Sequence, residues 1–458
     1  MYAYVLPDAT IGTMTEKVIL KQGADATGYE TSGTLAEWRR DVATYCINNS
    51  RLLHITSIPF AAPLLGILNK EGGGFHIDGQ SSEGKTSLEY VGASVIGNPD
   101  NTIKPMNATA NSFEGEAANS NDAVMFLDEL GEAPPEQIGS IIYKLAGGKG
   151  RGRADQHGNA KARNTWRILF VTTGETDLET MMKTGNRKTF AGQSLRLANI
   201  PANAGTGNGV YETLHDHPGG AALSEHFRKA TQKQHGTAFR EYMTHLVNDL
   251  NTNETDLHER LNSYIKNFLH GAVPPGADGQ VFRVASRFAI VAAGGELASH
   301  YGVTGWPEGD AAWGALTCFN AWLDRRGGIG QAEITKLLDQ IEAFFDRNGE
   351  SCFVALDGDE RKNNHPVNDR YGFRRTVDSV PSGEKTTEYF VLSTRFKDIC
   401  ANFDYRWAAK QLAAHGIIRG DGNGKNSISK MLPGMGKIRC YHFFPGVDNG
   451  GLPDSIPF

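Results

Sequence analysis

The chain has 458 residues, of which 39% are hydrophobic and 21% are charged, and its formal net charge is −6 at pH 7. These values are typical of a globular protein, and the length excludes a single ordinary core, so we expect two to four domains. The mild acidity means that any binding to nucleic acid must come from local basic patches.

Three features argue against export, a zinc site and a membrane span. The five cysteines are scattered without a C-x-x-C pair, which predicts neither a disulfide scaffold nor a zinc site and fits a cytoplasmic protein. The N-terminus lacks the basic start and apolar core of a signal peptide. The most apolar run, residues 58–68, is too short to span a bilayer and contains two prolines, so no membrane partner is expected.

Two predicted helices, residues 33–49 and 51–68, precede a phosphate-binding motif. The sequence GFHID at 74–78 predicts a strand, and residues 85–97 predict a helix with one apolar face. Between them the chain fits G-x-x-x-x-G-K-[ST] without a mismatch. The predicted ATP-binding residues of this loop are Gly79, Gln80, Ser81, Ser82, Glu83, Gly84, Lys85, Thr86 and Ser87.

This motif predicts ATP and Mg²⁺ as cofactors. The N–H groups of the loop would wrap the β-phosphate, Lys85 would reach the β/γ oxygens, and the Thr86 hydroxyl would ligate the metal. The helix N-terminus would point at the anion. The alternative is a glycine-rich turn without a ligand.

A second apolar strand, AVMFLDEL at 123–130, follows a short acidic helix at 112–122 and ends in two acids. Asp128 would lie at the carboxyl edge of the sheet as a second metal ligand, and Glu129 would polarise the attacking water. A water-activating base suits an NTPase rather than a metabolite kinase. The alternative is a core strand that happens to end in acids.

Two further strands are predicted at 165–175 and 192–202, and their alternation with helices favours a mostly parallel α/β sheet. Thr172 and Thr173 end the first, where either could lie beside the γ-phosphate or simply close a turn. Arg196 lies in the second. A buried guanidinium needs an acid or an anion. The anion could be a neighbouring subunit's γ-phosphate, which would require a ring or filament; a structural salt bridge is the alternative.

Residues 143–167 form a basic island with seven Lys/Arg and one acid. The glycine-containing centre predicts a hairpin that lies between the acidic strand and the threonine-ended strand. Such a hairpin could track a DNA backbone; a solvated loop, or a loop that binds the next subunit's ATP, is the alternative. The predicted DNA-binding residues are Lys149, Arg151, Arg153, Lys161 and Arg163.

The second half of the chain is predicted to be helical from about residue 215 to 347, with a separate small domain beyond. Residues 394–443 predict helix, turn, helix and two strands, which is the order of a winged helix. Winged helices bind DNA or mediate protein contacts, and both remain open. The expected segments are an N-terminal helical segment at 1–60, an ATPase core at 61–270, a helical lid at 271–350 and a winged-helix-like domain at 351–458.

Five motifs resemble the helicase-like ATPase family of phages and integrative elements, known as superfamily II helicases and inactivated derivatives. They are GGGFHIDGQSSEGKTS, SNDAVMFLDELGE, IIYKLAGGKGRGRA, WRILFVTTGE and AGQSLRLANIPANAG. That family is similar in turn to the AAA+ module of minichromosome-maintenance helicases. The resemblance covers the chain from about residue 33 onward. It implies an α/β fold with an AAA+ P-loop core, a helical lid and a C-terminal winged helix.

The resemblance also implies roles for single residues. Lys85 and Thr86 would be the Walker A pair, and Asp128 and Glu129 the Walker B pair.

Other roles rest on the same resemblance. Thr173 takes the sensor-1 position, where minichromosome-maintenance proteins carry asparagine. Arg196 takes the arginine-finger position, and residues 149–163 take that of the pre-sensor-1 hairpin, which contacts DNA inside the ring. Arg287 is our choice for the sensor-2 arginine of the lid and would contribute to ATP binding, with Arg283 as the alternate.

The leading hypothesis is a hexameric, ATP-driven DNA helicase or translocase of a mobile element, with DNA, further copies of itself and other replication proteins of the element as partners. Its catalytic residues would be Lys85, Glu129, Arg196 and Thr173. The rival is a nucleotide-dependent DNA-binding or loading factor that does not unwind. A small-molecule P-loop kinase would leave the basic island and the C-terminal domain without a role.

Overall fold

The structure, a computed structural model, divides into two compact units, residues 1–329 and 330–458. It describes residues 1–12, 18, 28–107, 110–150, 152, 163–184, 195–326, 328, 332–356, 369–378, 385–401, 403–422 and 425–444. The boundary precedes the one expected at residue 350, because Leu337, Ile341 and Phe345 pack into the core of the second unit.

A five-stranded parallel sheet lies at the centre of the first unit, in the order β4-β5-β6-β3-β7. A separate antiparallel pair is formed by β1 and β2. The strands are β1 (Tyr4–Val5), β2 (Thr10–Ile11), β3 (Gly73–Asp78), β4 (Ile103–Pro105), β5 (Ala123–Asp128), β6 (Ile168–Gly174) and β7 (Leu197–Pro201). The predicted strands that carry the phosphate-loop motif, the acids and the threonines are therefore confirmed as β3, β5 and β6.

The described helices of the first unit surround this sheet. They are α1 (Leu35–Trp38), α2 (Thr44–Cys46), α3 (Ser50–Ala61), α4 (Leu64–Ile67), α5 (Lys85–Ser94), α6 (Pro99–Thr102), α7 (Ala110–Asn119), α8 (Pro135–Gly147), α9 (Leu178–Thr184), α10 (Gly220–Lys233), α11 (Thr237–Thr252), α12 (Glu254–Ala272), α13 (Gly279–His300) and α14 (Asp310–Arg326). A π-helical turn, Arg39–Ala43, joins α1 to α2, and a 3-10 turn, Leu130–Glu132, follows β5. In the part of the chain that the structure describes, none of the helices has the length and apolar character to cross a membrane.

Both faces of the central sheet are covered, as parallel sheets require. Phe75 and Phe126 lie in one core with residues of α3, α5 and α13. On the other face, Phe170 packs with α7, α8 and α9. Helices from the predicted N-terminal and lid segments thus share one core with the central sheet, and the loops after the parallel strands lie at the same edge of that sheet.

The second unit contains a six-stranded sheet in the order β11-β13-β10-β9-β8, with β12 also paired to β13. Its strands are β8 (Phe353–Ala355), β9 (Gly372–Asp378), β10 (Lys385–Leu392), β11 (Ile418–Arg419), β12 (Ile428–Leu432) and β13 (Gly436–Phe443), and its helices are α15 (Ala332–Asn348), α16 (Ser393–Ile399) and α17 (Tyr405–Ala414). The predicted helix, turn, helix and paired strands of 394–443 are present as α16, α17, β12 and β13.

A buried histidine makes the first unit sensitive to acid. His54 lies between Phe75 and Phe288, with ring centroids 4.7 and 5.0 Å away. Neither of its ring nitrogens has a hydrogen-bond partner. Burial lowers the pKa of His54 to about 3. The unfolded chain gains a proton on this group near pH 6.5 but the folded chain does not, so the free energy of unfolding falls as pH drops from about 6.5 towards 3.

We expect His54→Leu to unfold at a higher denaturant concentration than the wild type at acid pH, with an advantage that grows by up to about 1.4 kcal/mol per unit of pH below about 6. Urea unfolding at a series of pH values measures this difference. His270→Leu, which alters an exposed histidine, is the matched control and should keep the wild-type slope. An unchanged slope in His54→Leu would contradict the assignment.

Candidate functional site

The phosphate-loop motif connects β3 to α5 at the carboxyl edge of the sheet. Gly84 caps α5 with φ +96°, in the left-handed region. A Cβ at Gly79 would lie 2.8 Å from the Cβ of Ala202, which has no side-chain freedom with which to move away. The tight curvature of the loop therefore requires glycine at both ends of the motif. The Lys85 Nζ donates to the carbonyls of Gly79 and Gln80 at 2.7 and 2.8 Å, which holds the ammonium against the loop.

The two acids of β5 are separated from this loop by the intervening strand β6, and Thr173 of that strand contacts both acids. Its hydroxyl donates to Asp128 Oδ1 at 2.7 Å and accepts from the Glu129 backbone N–H at 3.1 Å. Thr172 lies on the opposite face, where its hydroxyl is 2.7 Å from His76 Nδ1. Of the two threonines considered from the sequence, the structure brings only Thr173 to the acids.

Glu129 has the backbone and the electrostatics of a functional residue. Its φ is +53°, a left-handed conformation that non-glycine residues adopt mainly at functional or strained sites. Burial raises the pKa of the Glu129 carboxyl, as do the charges of Asp128 and Glu175, while the Gly131 N–H and the Lys85 ammonium lower it. A carboxyl with a raised pKa is a stronger base once it is ionised, which suits proton abstraction from water.

Glu89 belongs to the same site, although the sequence interpretation missed it. It is fully buried on α5, one turn after Lys85. Neither of its carboxyl oxygens has a hydrogen-bond partner of normal geometry. Burial raises the pKa of Glu89 well above its usual value, and the nearby Asp128 raises it further. The available signal was an acid among the apolar residues of a helix that packs against the sheet.

The donor set fits a hard divalent cation. The Thr86 hydroxyl and the Asp128 carboxylate are oxygen ligands of the kind that Mg²⁺ prefers, and the buried Glu89 carboxyl lies beside Asp128. Within the described ranges, no three or more His, Cys, Asp or Glu side chains are grouped so as to hold a metal. Mg²⁺ needs only one or two carboxylates, because phosphate and water complete its shell.

Arg325 is the second residue that the sequence interpretation missed. It lies in the last turn of α14, and its Nη1 is 2.6 and 2.5 Å from the two carboxylate oxygens of Asp78. Its Nη2 is 3.2 Å from Asp177. Asp78 ends β3 directly before the phosphate loop. This ion pair therefore fixes α14 to the loop's point of attachment.

The structure does not bring Arg287 to the phosphate loop. Arg287 is buried and donates to the carbonyls of Gly74 and Leu195 at 3.4 and 3.0 Å, near the amino end of β3. Burial lowers the pKa of Arg287 to about 10, and the charge of Arg196 contributes. Helix α13 places Arg287 at the amino edge of the sheet, whereas the phosphate loop is at the carboxyl edge. Arg283, the alternate, is exposed on the same helix.

Arg196 lies at the amino edge too, immediately before β7. Its guanidinium carbon is 4.2 Å from the centroid of the Tyr143 ring, and Tyr143 is 51% exposed on α8. The phosphate loop is at the other end of the parallel strands, so Arg196 faces away from the loop of its own subunit.

The structure describes the two chain segments at the base of the predicted basic hairpin, and they pair with each other. Lys149 and Thr165 form an antiparallel bridge, flanked by hydrogen bonds that join Gly150 to Asn164 and Trp166 to Gly148. Lys149 and Arg163 are exposed there. The other three predicted DNA-binding residues, Arg151, Arg153 and Lys161, lie outside the described residues.

Two of the seven cations of the basic island have structural partners instead. Lys144 pairs with Glu114 at 3.3 Å, and Arg167 pairs with Asp122 at 3.2 Å.

Comparisons with known proteins agree with this fold. The family described as a domain of unknown function, DUF927, matches residues 1–165. The solved structure "SCCmec type IV Cch - active helicase" superposes with a TM-score of 0.71 at 17% identity, covering 96% of this chain and 76% of that chain. No curated protein shows significant sequence similarity. The chain therefore shares with that structure a mixed α/β fold with a parallel central sheet.

We expect Glu89→Gln to raise the melting temperature at neutral pH. Because the pKa of Glu89 is raised, its contribution to the free energy of unfolding is fully present below about pH 4.5 and is lost as pH rises through the folded-state pKa. The amide avoids this loss, so the advantage of the variant should grow from about pH 5 to 8.

Thermal unfolding in EDTA, without nucleotide, measures the effect. Glu132→Gln is the control: it changes an exposed acid in the turn after β5, and its melting temperature should follow that of the wild type at each pH. An advantage that is absent, or that shrinks as pH rises, would show that Glu89 is ionised in the folded protein.

Proposed function

We propose that this protein is an ATP-driven DNA helicase or translocase of a mobile element, with an AAA+ core, and that it works in the cytoplasm as a ring with ATP sites between subunits. The observation that carries the proposal is the convergence of Lys85, Asp128, Glu129 and Thr173 at one edge of a parallel sheet. The fold that the chain shares with a structure named an active helicase supports it.

Each residue of the site then has a chemical task. The loop N–H groups and Lys85 bind the β- and γ-phosphates. Bound Mg²⁺, held by Thr86 and Asp128, would supply positive charge to the phosphate oxygens. Glu129 accepts a proton from the attacking water, and the raised pKa of Glu129 strengthens it as a base. The Thr173 hydroxyl holds both acids in position.

The position of Arg196 supports a shared site. It lies at the amino edge of the sheet, opposite the phosphate loop, so within one subunit it cannot reach its own γ-phosphate. In a ring that places this edge against a neighbour's loop, Arg196 would stabilise the charge that develops there. The Arg196 guanidinium is partly buried and stacks on the exposed Tyr143 ring, which would hold it in place before a neighbour binds.

DNA binding is assigned first to the basic segment between α8 and β6. Its base leads directly into the strand that carries Thr173, so a displacement of the segment is coupled to the position of both acids. The arrangement of α15, β10, α16, α17, β12 and β13 in the second unit supports a winged-helix domain, in which β12 and β13 form the wing. Other replication proteins of the element would be further partners.

The decisive measurement is strand displacement on a forked DNA duplex with ATP and Mg²⁺. We expect the wild type to unwind the fork and to hydrolyse ATP faster when DNA is present. Lys85→Ala should lose both activities because phosphate binding fails. Glu129→Gln should bind ATP but hydrolyse it at least about a hundredfold more slowly, because the base is lost.

A wild type that shows DNA-stimulated hydrolysis but never displaces a strand would contradict the helicase proposal and favour a loading factor. Arg228→Gln is the control: it changes a charged residue of α10 outside the site and should unwind the fork and hydrolyse ATP like the wild type.

Subunit mixing tests the role of Arg196. Arg196→Ala and Lys85→Ala should each be inactive alone. An equal mixture should recover about a quarter of the wild-type sites, since a site is complete when its lysine and its neighbour's arginine are both intact. Tyr143→Phe should retain activity, whereas Tyr143→Ala should lower it. Mixed rings that assemble but recover no hydrolysis would refute action in trans.

A further inference from the structure

The hairpin of β12 and β13 in the second unit has two chemically different faces. Its register pairs Ser429 with Arg439 and Met431 with Lys437. The residues that alternate with these four along the strands point inward, where Leu432 and Cys440 pack against Phe390. The inward-facing Lys430 also contacts this ring, with its Nζ 3.9 Å from the Phe390 centroid. The hairpin is therefore anchored to its own core by one face.

The outward face combines apolar tips with positive charge. Met431 is 71% exposed on β12, and Met435 in the connecting turn is 41% exposed. Lys437 and Arg439 lie exposed on β13 beside them. Two exposed methionines so close together are unusual for a surface without a partner, because burying them elsewhere would be favourable.

The charge around the hairpin indicates which partner fits. Residues 422–444 contain four Lys/Arg and no Asp or Glu, in a chain whose net charge is −6. A polyanion complements this surface. Among polyanions, duplex DNA also offers apolar contact between its stacked bases, where proteins insert Met and Pro side chains as wedges. Such wedges are inserted from the minor groove, which two-stranded ribbons are able to enter.

We propose that this hairpin is a DNA-opening wedge, in which Lys437 and Arg439 hold phosphates while Met431 and Met435 insert between base steps. The inference rests on the proposed function, since it takes DNA as the substrate. It adds the place where the duplex is opened and a step that needs no ATP. The packing of the hairpin on Phe390 would keep it in place while its two methionines press between the stacked bases.

The test uses the full-length chain without nucleotide. A duplex carrying 2-aminopurine reports unstacking as a rise in fluorescence, and anisotropy of an end label reports affinity. Wild-type protein should raise the fluorescence on binding. Met431→Ser/Met435→Ser should keep Kd within about threefold yet lose most of the rise, because phosphate contacts remain while the wedge is gone.

The charge variant gives the opposite pattern. Lys437→Gln/Arg439→Gln should weaken Kd by about tenfold or more and lower the salt dependence of binding by about two counterions. Phe282→Ser, an exposed apolar residue of the first unit, and Lys229→Gln, an exposed cation there, are the matched controls and should behave as wild type.

The outcomes separate this inference from the function on which it rests. Wild-type binding without a fluorescence rise, or a full rise in the methionine variant, overturns the wedge and leaves the helicase proposal standing. A change in oligomer mass in the methionine variant, with DNA unstacking intact, would assign the tip to a protein contact instead. Failure of the wild type to bind any DNA overturns both proposals.

Discussion

The hydrogen bonds of a single hydroxyl group organise the candidate site. In the sheet order, β6 separates the phosphate-loop strand from the acidic strand, so Lys85 and Asp128 are not on neighbouring strands. Thr173 lies on this intervening strand, where it donates to Asp128 and accepts from the backbone of Glu129. The left-handed backbone at Glu129 is held by this bond, and the buried Glu89 carboxyl packs against the same group. The geometry of the candidate site thus depends on one strand placed between two others.

The direction of the parallel strands sorts the arginines into two classes. Arg325 lies at the carboxyl edge, where Asp78 and Asp177 hold it beside the phosphate loop. Arg287 and Arg196 lie at the amino edge, one buried among backbone carbonyls and the other stacked on an exposed ring. A charge at the amino edge can serve only a structural role or another molecule. Burial gives Arg287 a structural role, and under the proposed function the partly buried Arg196 acts on a neighbouring subunit.

The sequence sufficed for those parts of the fold whose signals are local. The phosphate loop, the acidic strand and the threonine-ended strand each follow from a short motif, and the structure has all three. The sequence could not rank Arg287 against Arg325, because the edge that a helical arginine reaches depends on how the helix crosses the sheet. Glu89 was missed for a related reason. An acidic residue on a helix is usually expected to face solvent. Only the packing of α5 shows that Glu89 is buried beside Asp128.

The basic segment between α8 and β6 and the hairpin of β12 and β13 differ in a way that suggests a division of labour. The segment between α8 and β6 is rich in Gly, Lys and Arg and has no large apolar residue between Lys149 and Arg163, so it can follow phosphates but has nothing to insert between bases. It also runs directly into the strand that carries Thr173. The hairpin of β12 and β13 has the reverse properties: it has an apolar tip, and it belongs to a different compact unit from β5 and β6. In the proposed motor, the basic segment between α8 and β6 would transmit force to the DNA, because its base runs directly into the strand that carries Thr173. Base separation belongs to the hairpin of β12 and β13, because a wedge is effective only when its base is fixed, as the packing on Phe390 provides.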